Sequence, residues 1–222
     1  MKKTMIAAAA AMLMAPVAAA DVSVGIDQSD AAWLGFMNVF ELDGTTFVFG
    51  SPWGPADLNS SFDDGAGTMT MSPNTIGDPD PFWYQGGGAP GSPGNKIMEA
   101  NLYQEVTDTF AGQTVTFSGN VLSNSFTDAH QATVFIRDFA ADYSSSVDML
   151  ADVDASGAFS ISLDTLGDAG RHVQWGIRVK GVNVWVTDTA PFGNVVFSTV
   201  PAPGAAALLG LGGLIAGRRR RA

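Results

Sequence analysis

Two histidines and two glutamates in the middle of the chain are the residues from which proton chemistry would have to be built. His130 sits in Asp128-Ala129-His130-Gln131, just ahead of an expected strand, and His172 opens a later one. A hydrolytic triad needs a nucleophile, a base and an orienting acid within mutual reach. The Gly-x-Ser-x-Gly elbow that marks one class of such enzymes does not occur, nor does the His-Glu-x-x-His pattern of zinc proteases. Glu99 and Glu105 are the remaining acid–base candidates. A glycosidase needs two carboxyls roughly 5 to 10 Å apart across a cleft, and no spacing in this chain selects such a pair. With no cysteine there is no thiolate nucleophile, thiolate metal site or disulfide.

Oxygen ligands are more plentiful. Asp152-Val153-Asp154-Ala155-Ser156-Gly157 copies the first half of a calcium loop, with Asp152, Asp154 and Ser156 as the candidate donors and Gly157 at the tight turn. Leu163 stands where the closing bidentate glutamate belongs, so a plain hairpin turn is the competing account. No cofactor is required by anything in the sequence, and calcium is the one candidate. Asp63-Asp64 and Asp78 to Asp80 are further oxygen clusters.

Aromatic residues carry the binding chemistry. Sugar rings present apolar faces that stack on Trp and Tyr, while polar side chains at the ring edge bond the hydroxyls. On alternation alone, Trp185 shares a face with Asn183 and Thr187, away from Val182, Val184 and Val186. Trp83 and Tyr84 stand in a long Pro/Gly/Asp-rich stretch over 72–95. Gln174 and Arg178 occupy the polar side of a nearby strand. Trp83, Tyr84, Gln174, Arg178, Asn183 and Trp185 therefore form the candidate glycan patch, and Trp33 and Trp175 read as core.

Charge narrows the partners. All 22 acidic residues lie between 21 and 199, against five basic ones: Lys96, Arg137, Arg171, Arg178 and Lys180. A field of that sign repels nucleic acid. Most of the acid is aspartate beside Gly, Ser or Pro, which is turn chemistry.

These residues must be positioned by strands. Alternation marks Thr114–Val121 and Phe159–Leu163. Val173, Trp175, Ile177 and Val179 share one face of another strand, with His172, Gln174, Arg178 and Lys180 opposite. Ala132–Phe139 is apolar on both faces and reads as a central strand. Lys180-Gly181 is expected to turn into Val182–Val186. Trp33–Phe40 and Thr45–Phe49 flank Leu42-Asp43-Gly44 as a hairpin, and Thr68–Met71 and Val195–Ser198 are short strands. No stretch carries a helical period. The expected fold is all-β, a two-sheet antiparallel sandwich. Residues 101–197, through Ala111-Gly112-Gln113-Thr114-Val115-Thr116-Phe117 and Trp175-Gly176-Ile177-Arg178-Val179, resemble the jelly-roll sandwich of extracellular carbohydrate-binding modules, which implies architecture more than ligand.

The termini read as addresses. Lys2-Lys3, the apolar Met5–Met14 and Ala18-Ala19-Ala20 form a signal peptide over 1–20. At the other end, Pro201-Ala202-Pro203, an apolar run from Ala205 to Gly217 and Arg218, Arg219, Arg220 and Arg221 resemble the PEP-CTERM sorting signal, with Ala202 where that family carries glutamate. The resemblance covers 200–222. It implies a short transmembrane helix, transient membrane anchoring and processing by an exosortase after signal peptidase has acted. It further implies a secreted or cell-surface protein, exported across the inner membrane of a Gram-negative bacterium that makes biofilm matrix. The expected organisation is a leader over 1–20, one β-sandwich domain over 21–199 and the sorting segment. The leading functional expectation is a non-enzymatic protein of the exopolysaccharide layer that binds glycans. A carbohydrate-active enzyme (glycosidase or lyase) and a structural matrix protein without a defined ligand are the alternatives.

Overall fold

Twelve strands build two six-stranded sheets in a computed structural model that describes residues 21–153 and 156–199. In chain order they are β1 (Asp21–Val24), β2 (Leu34–Phe40), β3 (Phe47–Pro52), β4 (Ser60–Asp63), β5 (Thr68–Met71), β6 (Ile97–Thr107), β7 (Thr114–Asn124), β8 (His130–Phe139), β9 (Ser146–Asp152), β10 (Gly157–Asp164), β11 (His172–Val182) and β12 (Val195–Ser198). The larger strands alternate as the side-chain period of two requires. Val115, Phe117, Ile161, Leu163, Met69, Met71, Val195 and Phe197 of one sheet are buried. They meet Met37, Val39, Met98, Ala100, Leu102, Val134, Ile136, Val173, Trp175, Ile177 and Val179 of the other in one apolar cluster. The protein is an all-β, jelly-roll-like sandwich.

The first sheet is organised on β7. β10 runs antiparallel along it from Thr114 to Val121. The opposite edge is shared by β1, paired in parallel with Thr114–Phe117, and by β12, paired antiparallel at Val121–Asn124. The second sheet has the order β3-β2-β6-β11-β8-β9 and is antiparallel throughout. Its inner face joins the core, and its outer face is free to carry function.

Several sequence expectations meet corrections here. Lys180-Gly181 is not a turn: β11 continues in register with β6 and β8 to Val182 and Gly181. Gly181 is required there because a Cβ would lie 2.1 Å from the His130 ring, a close approach only glycine allows. Residues 183–186 leave the sheet: the Asn183 N–H bonds Lys96 O at 3.0 Å, and Val184 forms an isolated bridge with Thr75 of the long loop. The expected transmembrane helix and its transient membrane anchoring are also corrected. The helical turns among the described residues are the short 3-10 turns Pro55–Leu58 and Ala190–Phe192, and no helix described is long and apolar enough to cross a membrane. The signal peptide over 1–20 and the segment 200–222, with Pro201, Ala202, Pro203 and Arg218–Arg221, lie outside the described residues.

Candidate functional site

Strand register lays the outer face of the second sheet out in rows. One row runs Asn38–Glu99–Lys180–Gln131 and the next Phe36–Asn101–Arg178–Thr133. The third, Leu34–Tyr103–Gly176–Phe135, has a glycine at its centre. A Cβ at Gly176 would lie 2.1 Å from the Leu102 carbonyl oxygen and 2.7 Å from the Tyr103 Cα, so only glycine lets β6 and β11 close at this point. The fourth row is Glu105–Gln174–Arg137–Asp148, and the fifth is Thr107–His172–Phe139–Ser146.

A groove of about 570 Å³ opens over these rows, lined by Phe36, Asn38, Asn101, Tyr103, Glu105, Arg137, Phe139, Tyr143, Asp148 and Gln174. It crosses β2, β6, β11, β8 and β9. At about 4.8 Å per strand spacing the five span roughly 19 Å, room for several linked sugar rings. Its walls combine four aromatic rings with planar amide, guanidinium and carboxylate groups.

Each polar group is held by a neighbour. Glu105 accepts from the Gln174 amide at 2.6 Å and from the Tyr143 hydroxyl at 2.9 Å. Its Oε1 also lies 3.6 Å from His172 Nδ1, and that nitrogen is 2.9 Å from the Thr107 hydroxyl. Arg137 donates through Nη1 to Asn101 at 2.9 Å, lies 3.5 Å from Asp148 and places its guanidinium 4.3 Å from the centroid of Phe135. Burial pushes the Arg137 guanidinium below its ordinary pKa, against the opposing pull of Asp148 and Glu99. Burial also raises the Tyr103 phenol, with Glu105 adding to the effect.

Tyr143 enters the groove from the β8–β9 turn, its ring stacked on His172 at 4.2 Å between centroids. Its backbone is left-handed, with φ 58°, and that conformation is held by its N–H bond to Ala140 O at 2.9 Å. A non-glycine residue pays about 1–2 kcal/mol in that region, and such outliers concentrate where geometry serves a site. Its phenol pKa is pushed up to about 12, first by burial and then by the bond to Glu105.

The six residues of the sequence-derived patch are split. Gln174 lines the groove. Arg178 lies on the same face but is not among the lining residues; it is held 3.6 Å from Glu99 and 3.2 Å from the Thr133 hydroxyl. Glu99 also takes Asn38 at 3.1 Å and Lys180 at 3.8 Å, so it is a structural hub of the sheet face. Trp83, Tyr84, Asn183 and Trp185 gather instead at the loop over 72–95. Tyr84 is fully buried, donating to Ile76 O at 2.5 Å and lying 3.0 Å from Val184 O, while Trp185 packs edge-on against it at 5.3 Å. Asn183 is buried too, accepting from Asn95 and Lys96 N–H at 3.0 Å each and donating to Trp83 O at 2.8 Å. These four pin the long loop to the end of the sandwich. A cavity of about 710 Å³ beside them is lined largely by Leu42, Val182, Val184, Pro191, Phe192 and the Gly91–Gly94 backbone. Its one carboxylate, Asp188, accepts the Gly91 N–H at 2.6 Å.

The calcium candidates divide as well. Asp152 ends β9, accepting from the Thr133 hydroxyl at 3.2 Å, and Ser156 is exposed, whereas Asp154 lies outside the described residues. Among the described residues no group of three or more His, Asp or Glu side chains is placed to hold a metal ion. Asp78 and Asp80 accept the N–H of Asp80 and Phe82 at 3.0 and 2.7 Å, the turn role their sequence context implied.

Sequence reasoning missed Phe36, Asn38, Asn101, Tyr103, Arg137, Phe139, Tyr143 and Asp148 as lining residues. β6 itself was overlooked, because Glu, Ala and Gln within it dilute the β signal. A usable sign was there: Met98, Ala100 and Leu102 alternate with Glu99, Asn101 and Tyr103 over six consecutive residues, before Gln104 breaks the pattern.

Two carboxylate separations bear on catalysis. Glu99 and Glu105 are six residues apart on one strand, roughly 20 Å at about 3.4 Å per residue. Glu105 and Asp148 are three strand spacings apart, roughly 14 Å between Cα positions. The first is far beyond the roughly 5–9.5 Å between carboxyl groups that glycosidases use, whereas Glu105 and Asp148 line one groove with Arg137 between them.

No protein-family model matches this chain, and neither a curated protein nor a solved structure matches it. The resemblance to PEP-CTERM sorting-signal proteins is therefore corrected, and with it the exosortase partnership it implied: no family match supports it, and no membrane-crossing helix is found among the described residues.

Proposed function

We propose that this is an extracellular glycan-binding protein that holds a polysaccharide segment in the groove on the outer face of its second sheet. The observation that carries the reading is the convergence of Phe36, Tyr103, Phe139 and Tyr143 with Asn38, Asn101, Glu105, Arg137 and Gln174 in one open groove. Rings offer stacking surface for the apolar faces of sugars, and planar side chains offer paired donors and acceptors for vicinal hydroxyls. Few, well-held polar groups in an apolar concavity are the general form of a small-molecule site. Affinity electrophoresis of the full chain through gels containing polysaccharides tests it. Retardation by at least one polymer, abolished in Tyr103→Ala, is expected. Unchanged mobility across a broad panel refutes it.

A second reading is a carbohydrate-active enzyme. It is favoured by the Tyr143–Glu105–His172 cluster, three titratable groups meeting at one end of the groove. Prolonged incubation with any retained polymer, followed by assay for new reducing ends and for unsaturated product, separates the two. Product formation that is lost in Tyr143→Phe favours the enzyme.

A further inference from the structure

The charges around the groove discriminate between classes of glycan. Five basic residues lie between 21 and 199, and each has a carboxylate within reach. Lys96 is 2.9 Å from Glu41, Arg137 is 3.5 Å from Asp148, and Arg171 is 2.6 Å from Asp138. Arg178 and Lys180 share Glu99 at 3.6 and 3.8 Å. Only Arg137 among the five lines the groove. Its Nη1 is given to Asn101, its Nε faces Asp148, and one face of its guanidinium covers Phe135. The bidentate fork that a guanidinium presents to an incoming carboxylate is thus already largely used. Glu105 and Asp148 line the same row on either side of it, so the groove wall carries two negative charges against one positive. The rest of the body adds 20 further acids against four further bases.

We infer that the groove selects neutral glycans and rejects uronate-containing ones, with Asp148 and Glu105 as the residues that enforce the rejection. This rests on the glycan-binding reading above. Neutral hydroxyls can donate to Glu105 and Asp148, and the Phe36, Tyr103, Phe139 and Tyr143 rings can stack on apolar sugar faces, so an uncharged sugar needs no free cation. A carboxylate on the ligand meets like charge with no unpaired cation to offset it. Like-charge juxtaposition of this kind suppresses wrong partners more than it weakens right ones.

The test uses matched ligands. A panel of neutral polysaccharides with free primary hydroxyls at C6 (amylose, glucomannan, galactomannan, laminarin), with polygalacturonate beside them, is run first with the full chain. Whichever polymer is retained is then compared with its C6-oxidised form, in which the primary hydroxyl has become a carboxylate. At low ionic strength the oxidised form should bind at least tenfold more weakly, and the difference should shrink at about 0.5 M salt as screening sets in. Asp148 sits on the edge strand β9 with a partly exposed side chain, so Asp148→Asn should leave the fold intact. That variant should narrow the discrimination to roughly threefold, since it removes one repulsive charge and frees Arg137. Equal or tighter binding of the oxidised polymer, or retention of polygalacturonate with no neutral polymer retained, overturns the inference while leaving glycan binding standing. Discrimination that Asp148→Asn leaves unchanged overturns the assignment to these residues. No retention of any polymer refutes the groove reading itself, and this inference falls with it.

Discussion

The Tyr143 hydroxyl donates a 2.9 Å hydrogen bond to Glu105 Oε1 across 38 residues of sequence, tying the β8–β9 turn to the middle strand pair of the outer face. Tyr143→Phe removes that bond and leaves the ring on His172. Ligand affinity should fall several-fold, and stability should fall by about 1–2 kcal/mol, the net worth of a solvent-accessible hydrogen bond to a carboxylate. Titration of bound ligand and urea denaturation, run on the same preparation, check both.

The same phenol predicts an alkaline transition. Its folded-state pKa is pushed up to about 12, against an ordinary value of 10.0. The folded protein therefore holds the proton more tightly, and the resulting stability is complete below pH 10 and lost as pH rises from 10 toward 12. Tyr84 and Tyr103 are also held above the ordinary phenol value, so ultraviolet titration should show all three phenols ionising late, and Tyr143→Phe should lower the amplitude of that late step by one tyrosine.

Ring-by-ring substitution separates the groove from the loop cluster. Tyr103→Ala should lower glycan affinity at least tenfold. Trp185→Ala should leave it within about twofold, because Trp185 packs on Tyr84 at the loop over 72–95 and does not line the groove. It should instead lower thermal stability, since a large aromatic contact is lost. A Trp185→Ala protein that loses binding while keeping its melting temperature would move the site to the loop cluster.

Asp138 and Arg171 form the most enclosed ion pair among the described residues, at 2.6 Å, with side chains 0% and 5% exposed. Asp138 also accepts the Leu166 N–H at 2.7 Å, and Arg171 reaches the Asp138 carbonyl at 2.8 Å. Asp138→Ala leaves the buried guanidinium with only the exposed Asp168 carboxylate, 3.6 Å from Nη1, and should cost about 3 kcal/mol, measurable by urea unfolding.

His130 should make the fold acid-sensitive. Its ring lies between Phe126 and Phe192, 5.7 and 5.2 Å between centroids, with Nε2 3.0 Å from the Val182 carbonyl oxygen. Burial lowers its pKa below the ordinary 6.5. The unfolded chain therefore binds the proton first, so stability is complete above pH 6.5 and declines as pH falls below it. Urea midpoints from pH 8 to pH 5 should decline more steeply in the wild type than in His130→Asn.

Much of the architecture was legible because burial is written in a period of two. Val173, Trp175, Ile177 and Val179 were assigned inward by alternation, and all four are buried. The hairpin around Leu42-Asp43-Gly44 and the strands Thr68–Met71 and Val195–Ser198 were legible for the same reason, with turn residues at their ends. Trp185 was harder. Alternation placed it outward, but the chain leaves the sheet after Val182, and period-two reasoning has no meaning beyond that point.

By itself, then, the sequence determined an all-β chain, an acidic body with few cations, and the side of each major strand that faces the core. These follow from composition and local alternation, which need no knowledge of partners. Only the tertiary structure decided that β6, β11 and β8 lie side by side, in a register that sets Gln174 between Glu105 and Arg137 and opens a groove above them. The reason is that strand pairing joins residues some 70 positions apart, as Gln174 to Glu105, through backbone hydrogen bonds that carry no side-chain signature. A one-residue change of register would put the other face of every paired strand outward, so no inspection of single strands could have assembled the site.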